Sequence, residues 1–193
     1  MTTKIIGLTG LAGSGKDTCA HLLANELRAL RRTVDQMAFA DPIRWMLAAL
    51  GVPEQAMADR TMKEMAMADF ANSSYRHMAQ TLGTEWGRQC MGVSFWTSRL
   101  QARLAKLEEA GRAPDFLLIT DVRFPNEAAW VKSRQGMLLR LERPATAKVR
   151  PHTSEAQALP CDALMSNTST IDDLATRCRE LAWLLVAEQA ITA

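Results

Sequence analysis

The segment Gly10-Leu-Ala-Gly-Ser-Gly-Lys16 constrains this chain more than any other. Ahead of it, Lys4-Ile-Ile-Gly-Leu-Thr9 is short and apolar enough to be a buried strand; behind it, Ala20, Leu23, Ala24, Leu27 and Leu30 recur at helical spacing. A strand that turns through glycines into a helix is the opening unit of an α/β sheet and the context in which Gly-x4-Gly-Lys has a physical meaning. The glycines let the backbone curl until its N–H groups point inward at a polyphosphate. The helix N-terminus adds positive field at the same point, and Lys16 has the reach to meet β and γ phosphates. Glycine turns before helices also occur without any ligand, but the preceding strand and the Lys together set this one apart.

One position departs from the usual pattern. The Ser or Thr expected after the Lys, whose hydroxyl would hold Mg²⁺, is Asp17, and Thr18 follows. Asp17 can hold a metal through water, or simply open the helix as an acid near its positive end.

A chain of 193 residues with 48% hydrophobic and 23% charged residues reads as one globular domain with small insertions. Its net charge of +2 makes no case for nucleic acid or a membrane surface. The basic residues are 17 Arg against 6 Lys; Arg suits bidentate phosphate contacts, although a GC-rich genome accounts for most of that bias. Cys19, Cys90, Cys161 and Cys178 form no Cys-x-x-Cys pair and suggest no metal site; scattered thiols fit a reducing cytoplasm. No apolar run approaches the ~18 residues that span a bilayer, and no targeting segment is expected.

Strand and helix patterns alternate along the chain, which predicts a mainly parallel sheet with helices on both faces. Val34–Phe39 reads as a second strand, closed by Asp41-Pro42, with Asp41 capping a helix that carries Ile43, Met46, Leu47 and Leu50. Residues 51–72 are irregular and rich in Met, with Met57, Met62, Met65 and Met67 read as adaptable core filler or a flap. Helices are expected from Ser73 or Ser74 to about Gln89, from Phe95 to Ala110 and from Asn126 to Arg134. Strands are expected at Phe116–Thr120, Met137–Leu141 and Ala163–Met165. The last helix presents Ile171, Leu174, Ala175, Cys178, Leu181, Ala182 and Leu185 on one face. Residues 143–160 hold three Pro, Lys148, Arg150 and His152 and read as an irregular excursion.

In an open α/β sheet, ligands gather outside the carboxyl ends of the strands. The segments expected there are the glycine loop, Phe39-Ala-Asp41-Pro42, Asp121-Val-Arg123-Phe-Pro-Asn-Glu127, Glu142-Arg143-Pro144 and Asn167-Thr-Ser-Thr170. Polar, phosphate-compatible groups recur at that edge every time. Asp121, closing an apolar strand, has the form of an acid that holds Mg²⁺ directly or through water. Arg123 can reach phosphate, or pair with Glu127 four residues on. Arg76, Gln80 and either Gly83 or Thr84 fall on one side of a helix, as an acceptor pocket or as an ordinary solvated face.

Taken together, the loop Gly10–Thr18, Phe39–Pro42, Gln80-Thr-Leu-Gly-Thr-Glu-Trp-Gly-Arg88, Asp121–Glu127, His152-Thr-Ser-Glu155 and Asn167–Thr170 resemble the phage-type deoxynucleoside monophosphate kinases, in the family's order and over nearly the whole chain. The loop's Gly-Lys-x-Thr also resembles that of adenylate kinases, where the Thr touches a phosphate. The resemblance implies a three-layer α/β fold of the P-loop nucleoside monophosphate kinase kind, a single domain with an acceptor-binding helical region at about 41–110 and a lid-like excursion at about 143–160. It implies ATP and Mg²⁺ as cofactors, a small deoxynucleoside monophosphate as the partner, and the host cytoplasm if the gene belongs to a phage; it leaves a homodimer open. By that similarity Gly13, Ser14, Gly15, Lys16, Asp17 and Thr18 hold donor phosphates, and Asn167 to Thr170 lie near the adenine of ATP. Asp41, Arg76, Gln80 and Arg88 lie by the acceptor, Arg143 and Arg150 belong to the lid, Asp17 and Asp121 serve the metal, and Lys16, Arg123, Asp121 and Arg143 serve catalysis. The readings that compete are a kinase of another small acceptor, such as dephospho-coenzyme A or phosphomevalonate, and a non-catalytic ATP-binding switch module.

Overall fold

A computed structural model describes residues 3–59, 61–143 and 159–192. They fall into two compact units: the chain up to Ala38 together with everything from Leu104 onward, and Phe39–Arg103.

The first unit is built on a five-stranded sheet of β1 (Lys4–Thr9), β2 (Val34–Met37), β5 (Phe116–Ile119), β6 (Met137–Glu142) and β7 (Ala163–Ser166), in the order β2-β5-β1-β6-β7. Every pairing is parallel, with Ile5 opposite Leu117, Leu8 opposite Leu139 and Leu141 opposite Met165. The inner strands read as unbroken apolar runs because a parallel sheet is covered on both faces. On one face α1 (Lys16–Ala29) and α7 (Ile171–Thr192) bury Cys19, Leu23, Leu27, Leu174, Cys178 and Leu185 against Ile6, Leu8, Phe116, Leu118, Leu139 and Met165. On the other lies α6 (Pro125–Ser133). There Gly7 permits a close approach, since a Cβ on it would meet Val122, Leu138 and Val131 at 2.9 to 3.1 Å.

This strand order has one switch point. From β1 the chain travels outward past β5 to β2, whereas from β6 it travels the other way to β7. The adjacent strands β1 and β6 therefore flank the point where the strand order reverses, the place at which such sheets bind ligands. The glycine loop starts there. Gly10, at φ 136°, lies so close to β6 that a Cβ would fall 2.4 Å from the Leu141 carbonyl oxygen.

The second unit is helical, apart from a small antiparallel hairpin of β3 (Ala66–Met67) and β4 (Ser73–Ser74). It holds α2 (Asp41–Ala49), α3 (Glu54–Ala58), α4 (Tyr75–Gln80) and the start of α5 (Phe95–Glu109). The Ser74 hydroxyl caps α4 by accepting from the His77 N–H at 3.2 Å. From Thr81 to Cys90 the helix continues in wider π geometry, closed by Met91 N–H donating to the Trp86 carbonyl five residues back.

Several expectations need correction. The second strand stops at Met37 rather than Phe39. Asp41 is the first residue of α2 rather than its cap, and Pro42 fits beside it because the first helical turn needs no intrahelical N–H donor there. The helix from Tyr75 changes to π geometry because Gly83 and Gly87 lie against Trp96 and Ile43. The Trp96 indole donates to the Gly83 carbonyl at 2.8 Å, and a Cβ on Gly87 would lie 2.4 Å from the Trp96 ring. Met62 and Met65 are exposed, so they are not core filler. Ile171 is exposed as well, because α7 buries its face only from Leu174 onward.

Candidate active site

In the first unit the glycine loop is wound as a cradle. Gly10, Gly13 and Gly15 all take positive φ, at 136°, 78° and 94°, a region open to glycine and strained for other residues. Ser14 N–H donates to the Leu11 carbonyl at 3.1 Å, closing the turn. Lys16 opens α1 and is buried; its ammonium donates to the Gly10 and Leu11 carbonyls at 2.8 and 2.9 Å. These bonds hold a full positive charge at the mouth of a helix whose own N-terminus is positive.

The Ser14 hydroxyl is buried, and among the described residues it has no hydrogen-bond partner. Such groups are uncommon and mark a place where a ligand or water completes the bonding. A buried hydroxyl donor, a lysine ammonium and glycine backbone that brings N–H groups close together are the donor set a polyphosphate requires. The loop therefore fits ATP. Asp17 and Thr18 stand exposed beside it at the start of α1.

Asp121 follows β5 and is buried, and the turn that carries it is tied to β1 by Val122 N–H donating to the Leu8 carbonyl at 3.1 Å. A buried carboxylate at that edge is chemically suited to a divalent cation. Among the described residues no cluster of three or more His, Cys, Asp or Glu is placed to hold a metal ion. Arg123, half-buried, follows directly. Its backbone N–H and that of Phe124 donate to Glu127 Oε2 at 2.8 and 3.1 Å. Glu127 is 2% exposed, so this carboxylate caps α6 from within and orders the loop between Asp121 and the helix. The spacing in the sequence offers Glu127 as a partner of the Arg123 side chain, and the structure adds its bonds to two backbone N–H groups. The usable signal was a Glu three residues after the cap position, with Pro125 at the first helical turn.

At the far edge of the same sheet end, Asn167 donates from Nδ2 to the Ser14 carbonyl at 2.8 Å. Thr170 is exposed and exchanges bonds with Asp173 in the first turn of α7, with Thr170 Oγ1 at 2.9 Å from Asp173 Oδ2. Those bonds, led by the one from Ser169, hold the Asp173 carboxyl below the usual carboxylate range. Arg143 is exposed just past β6. Lys148, Arg150 and the segment His152–Glu155, with most of the expected lid, lie outside the described residues.

In the second unit, Asp41 accepts from Arg44 Nη1 at 3.2 Å on one carboxylate oxygen and from Arg103 Nη1 at 3.0 Å on the other. The Arg103 guanidinium also lies over the Trp45 ring, 5.2 Å from its centre. Arg76 forms an ion pair with Glu64. Arg88 donates to the Val93 carbonyl at 3.4 Å. Arg76, Gln80, Thr84 and Arg88 are all half-buried, which sets them apart from a fully solvated face. In the same unit Phe95 packs edge to face with Trp86 and Trp96, and those two rings pack tilted, with ring centres 4.9 to 6.0 Å apart. The Leu82–Arg88 motif thus has a packing role through Gly83, Gly87 and Trp86 besides any role for its polar side chains.

Cys19 and Cys178, distant in sequence, meet with sulfurs 3.7 Å apart in the core between α1 and α7. The hydrogen bond between them and burial push the Cys19 thiol strongly up, so Cys19 stays a protonated packing group at neutral pH.

The sequence profile of the deoxynucleotide monophosphate kinase family matches residues 51–178. A protein of Acanthamoeba polyphaga mimivirus assigned as a deoxynucleotide monophosphate kinase is 29% identical over 180 residues, 88% of this chain and 91% of that one. A deoxynucleoside-5'-monophosphate kinase of Escherichia phage T5 is 28% identical over 178 residues, 64% of this chain and 69% of that protein. The crystal structure of TT1252 from Thermus thermophilus shares the fold, with a TM-score of 0.51 at 18% identity over 97% of this chain and 98% of that one. Among the described residues no helix is long and apolar enough to cross a membrane.

Proposed function

The chain belongs to the deoxynucleotide monophosphate kinase family, and on that premise we propose how its residues divide the transfer of a phosphoryl group from ATP to a deoxynucleoside monophosphate. The enzyme phosphorylates deoxynucleoside monophosphates to diphosphates at the expense of ATP, on an α/β nucleotide-kinase-like fold. The observation that carries the residue assignment is the cradle of Gly10, Gly13 and Gly15 with the buried, unpartnered Ser14 hydroxyl and the Lys16 ammonium.

Phosphoryl transfer asks the protein for positioning and charge neutralisation more than for covalent chemistry. Gly13, Ser14, Gly15, Lys16 and Thr18 hold the donor phosphates, and Lys16 offsets charge on the group in flight. Arg123 and Arg143, at the carboxyl ends of β5 and β6, add positive charge at the same sheet edge. Asp121 holds Mg²⁺ directly or through an oriented water, with Asp17 as a weaker helper; the burial of Asp121 and the exposure of Asp17 support that ranking. When bound, Mg²⁺ neutralises phosphate oxygens and fixes their geometry. Asn167 and Thr170 belong to the donor nucleotide's side.

Asp41, Arg76, Gln80 and Arg88 are assigned to the acceptor, Arg for its phosphate and Gln80 for a base edge. A phosphate dianion competes well with the surface carboxylate of Glu64 for Arg76, because it carries twice the charge and equally accepts bidentate charge-assisted bonds. The acceptor phosphate is already nucleophilic, so neither Asp41 nor Asp121 needs to act as a strong base. The T5 relative and the free cysteines support a place in the cytoplasm of a phage host.

The test uses ATP labelled at its γ phosphate, Mg²⁺ and a deoxynucleoside monophosphate. The label is expected in the nucleoside diphosphate. Label appearing only in inorganic phosphate would contradict the reading.

A further inference from the structure

The link between β7 and α7 touches the phosphate loop through one side chain. Asn167 Nδ2 donates to the Ser14 carbonyl at 2.8 Å across 153 positions of sequence. The same nitrogen would lie 2.4 Å from a Cβ on Gly15, so it occupies the space that a side chain there would need. Asn167 is itself anchored. Its N–H donates to the Glu142 carbonyl at 2.8 Å, at the carboxyl end of β6. Three residues on, Thr170 N–H bonds Asp173 Oδ2 and Asp173 N–H bonds Thr170 Oγ1, each at 3.2 Å, fixing the entry into α7. A rigid strut thus runs from β6 and α7 to the loop.

We propose that Asn167 is a positioning residue for the donor phosphates, acting through the Ser14–Gly15 peptide rather than by touching the nucleotide base. A trans peptide points its C=O and N–H to opposite sides, and the described residues contain no cis peptide. Anchoring the Ser14 carbonyl on Asn167 therefore aims the Gly15 N–H to the other side, into the loop. Gly15, at φ 94°, has both the freedom to hold that orientation and the missing Cβ that lets Asn167 reach it. Without the strut the peptide is free to rotate, and a donor meant for phosphate must be ordered by the ligand, which lowers affinity. This inference rests on the phosphate-loop reading and adds a residue that acts on it from outside.

The test compares the full chain with Asn167→Ala and with Asn167→Asp, which keeps the shape but replaces the donor by an acceptor. Inorganic tripolyphosphate and ATP are titrated by calorimetry, and adenosine by ligand-observed NMR. Both variants are expected to bind tripolyphosphate and ATP about tenfold more weakly, ~1.4 kcal/mol, to bind adenosine as the parent does, and to shift the Gly15 amide resonance. A merely structural loss would weaken adenosine as well. Weakened adenosine with unchanged tripolyphosphate would overturn the proposal in favour of a contact to the base. So would unchanged tripolyphosphate binding and an unmoved Gly15 amide in both variants. A parent that bound no tripolyphosphate would instead bring down the phosphate-loop reading, and this proposal with it.

Discussion

Lys16 is held at the loop by two backbone carbonyls, 2.8 and 2.9 Å away, and is nearly buried there. Its charge is therefore preorganised, which is what makes a cation effective against charge that develops during transfer. Lys16→Ala should lower kcat at least ~100-fold, the scale for losing a main electrostatic stabiliser; near-normal turnover in a folded variant would remove this site from the mechanism. For the metal, Asp121→Asn should impair the Mg²⁺ dependence of turnover more than Asp17→Asn, and titration of Mg²⁺ against rate for both variants decides it. Equal, negligible effects would mean that neither acid serves the metal. The glycine-loop geometry and the place of Asp121 just after β5 are legible in the sequence because both are local patterns. Asn167 against Ser14 and Glu127 beneath Arg123 and Phe124 were not read in those roles. The first is a contact between segments 153 positions apart, and the second is a set of bonds to backbone N–H groups, which the Arg123–Glu127 spacing does not announce.

Among the elements, the alternation of apolar strands and helices around β1 was readable in advance, since buried strands and amphipathic helices write their periods into the sequence. The π stretch over Thr81–Cys90 was not, because it depends on how Trp96 seats against Gly83 and Gly87. A methyl group on Gly87 would meet three atoms of the Trp96 ring at 2.4 to 2.5 Å. Gly87→Ala should therefore cost about 1–3 kcal/mol, the range for overpacking, seen as a Tm lower by several degrees; an unchanged Tm would show that the ring moves aside freely. At the start of β6, Asp162 accepts from Lys132 and from the Leu138 N–H, at 2.8 and 2.7 Å on its two oxygens. The Lys132 hydrogen bond first, then that of Leu138, holds its carboxyl below the usual range. A depressed carboxylate stabilises the fold above its unfolded pKa, near 3.9, and loses that contribution as pH falls through the folded value. Asp162→Asn should thus lower the urea midpoint at pH 7 by less than ~1 kcal/mol equivalent, because the pair is largely exposed. The difference from the parent should shrink below about pH 4. A difference that persisted undiminished in acid would contradict the assignment.

At the scale of the whole chain, the sheet-based unit carries the phosphate loop and Phe39–Arg103 carries Asp41, Arg76, Gln80 and Arg88. Losing a charge-assisted phosphate contact costs about 1.5–3 kcal/mol. Arg76→Ala or Arg88→Ala should accordingly raise the acceptor's KM about tenfold or more and move the KM for ATP much less. The reverse pattern would mean that donor and acceptor sites have been interchanged. That the acceptor is a deoxynucleoside monophosphate can be measured by offering the purified chain MgATP with each deoxynucleoside and ribonucleoside monophosphate in turn and following nucleoside diphosphate formation. Diphosphate is expected from at least one deoxynucleoside monophosphate and is expected to be abolished in Lys16→Ala. Failure with every deoxynucleoside monophosphate, together with rapid phosphorylation of another small acceptor such as dephospho-coenzyme A, would contradict it.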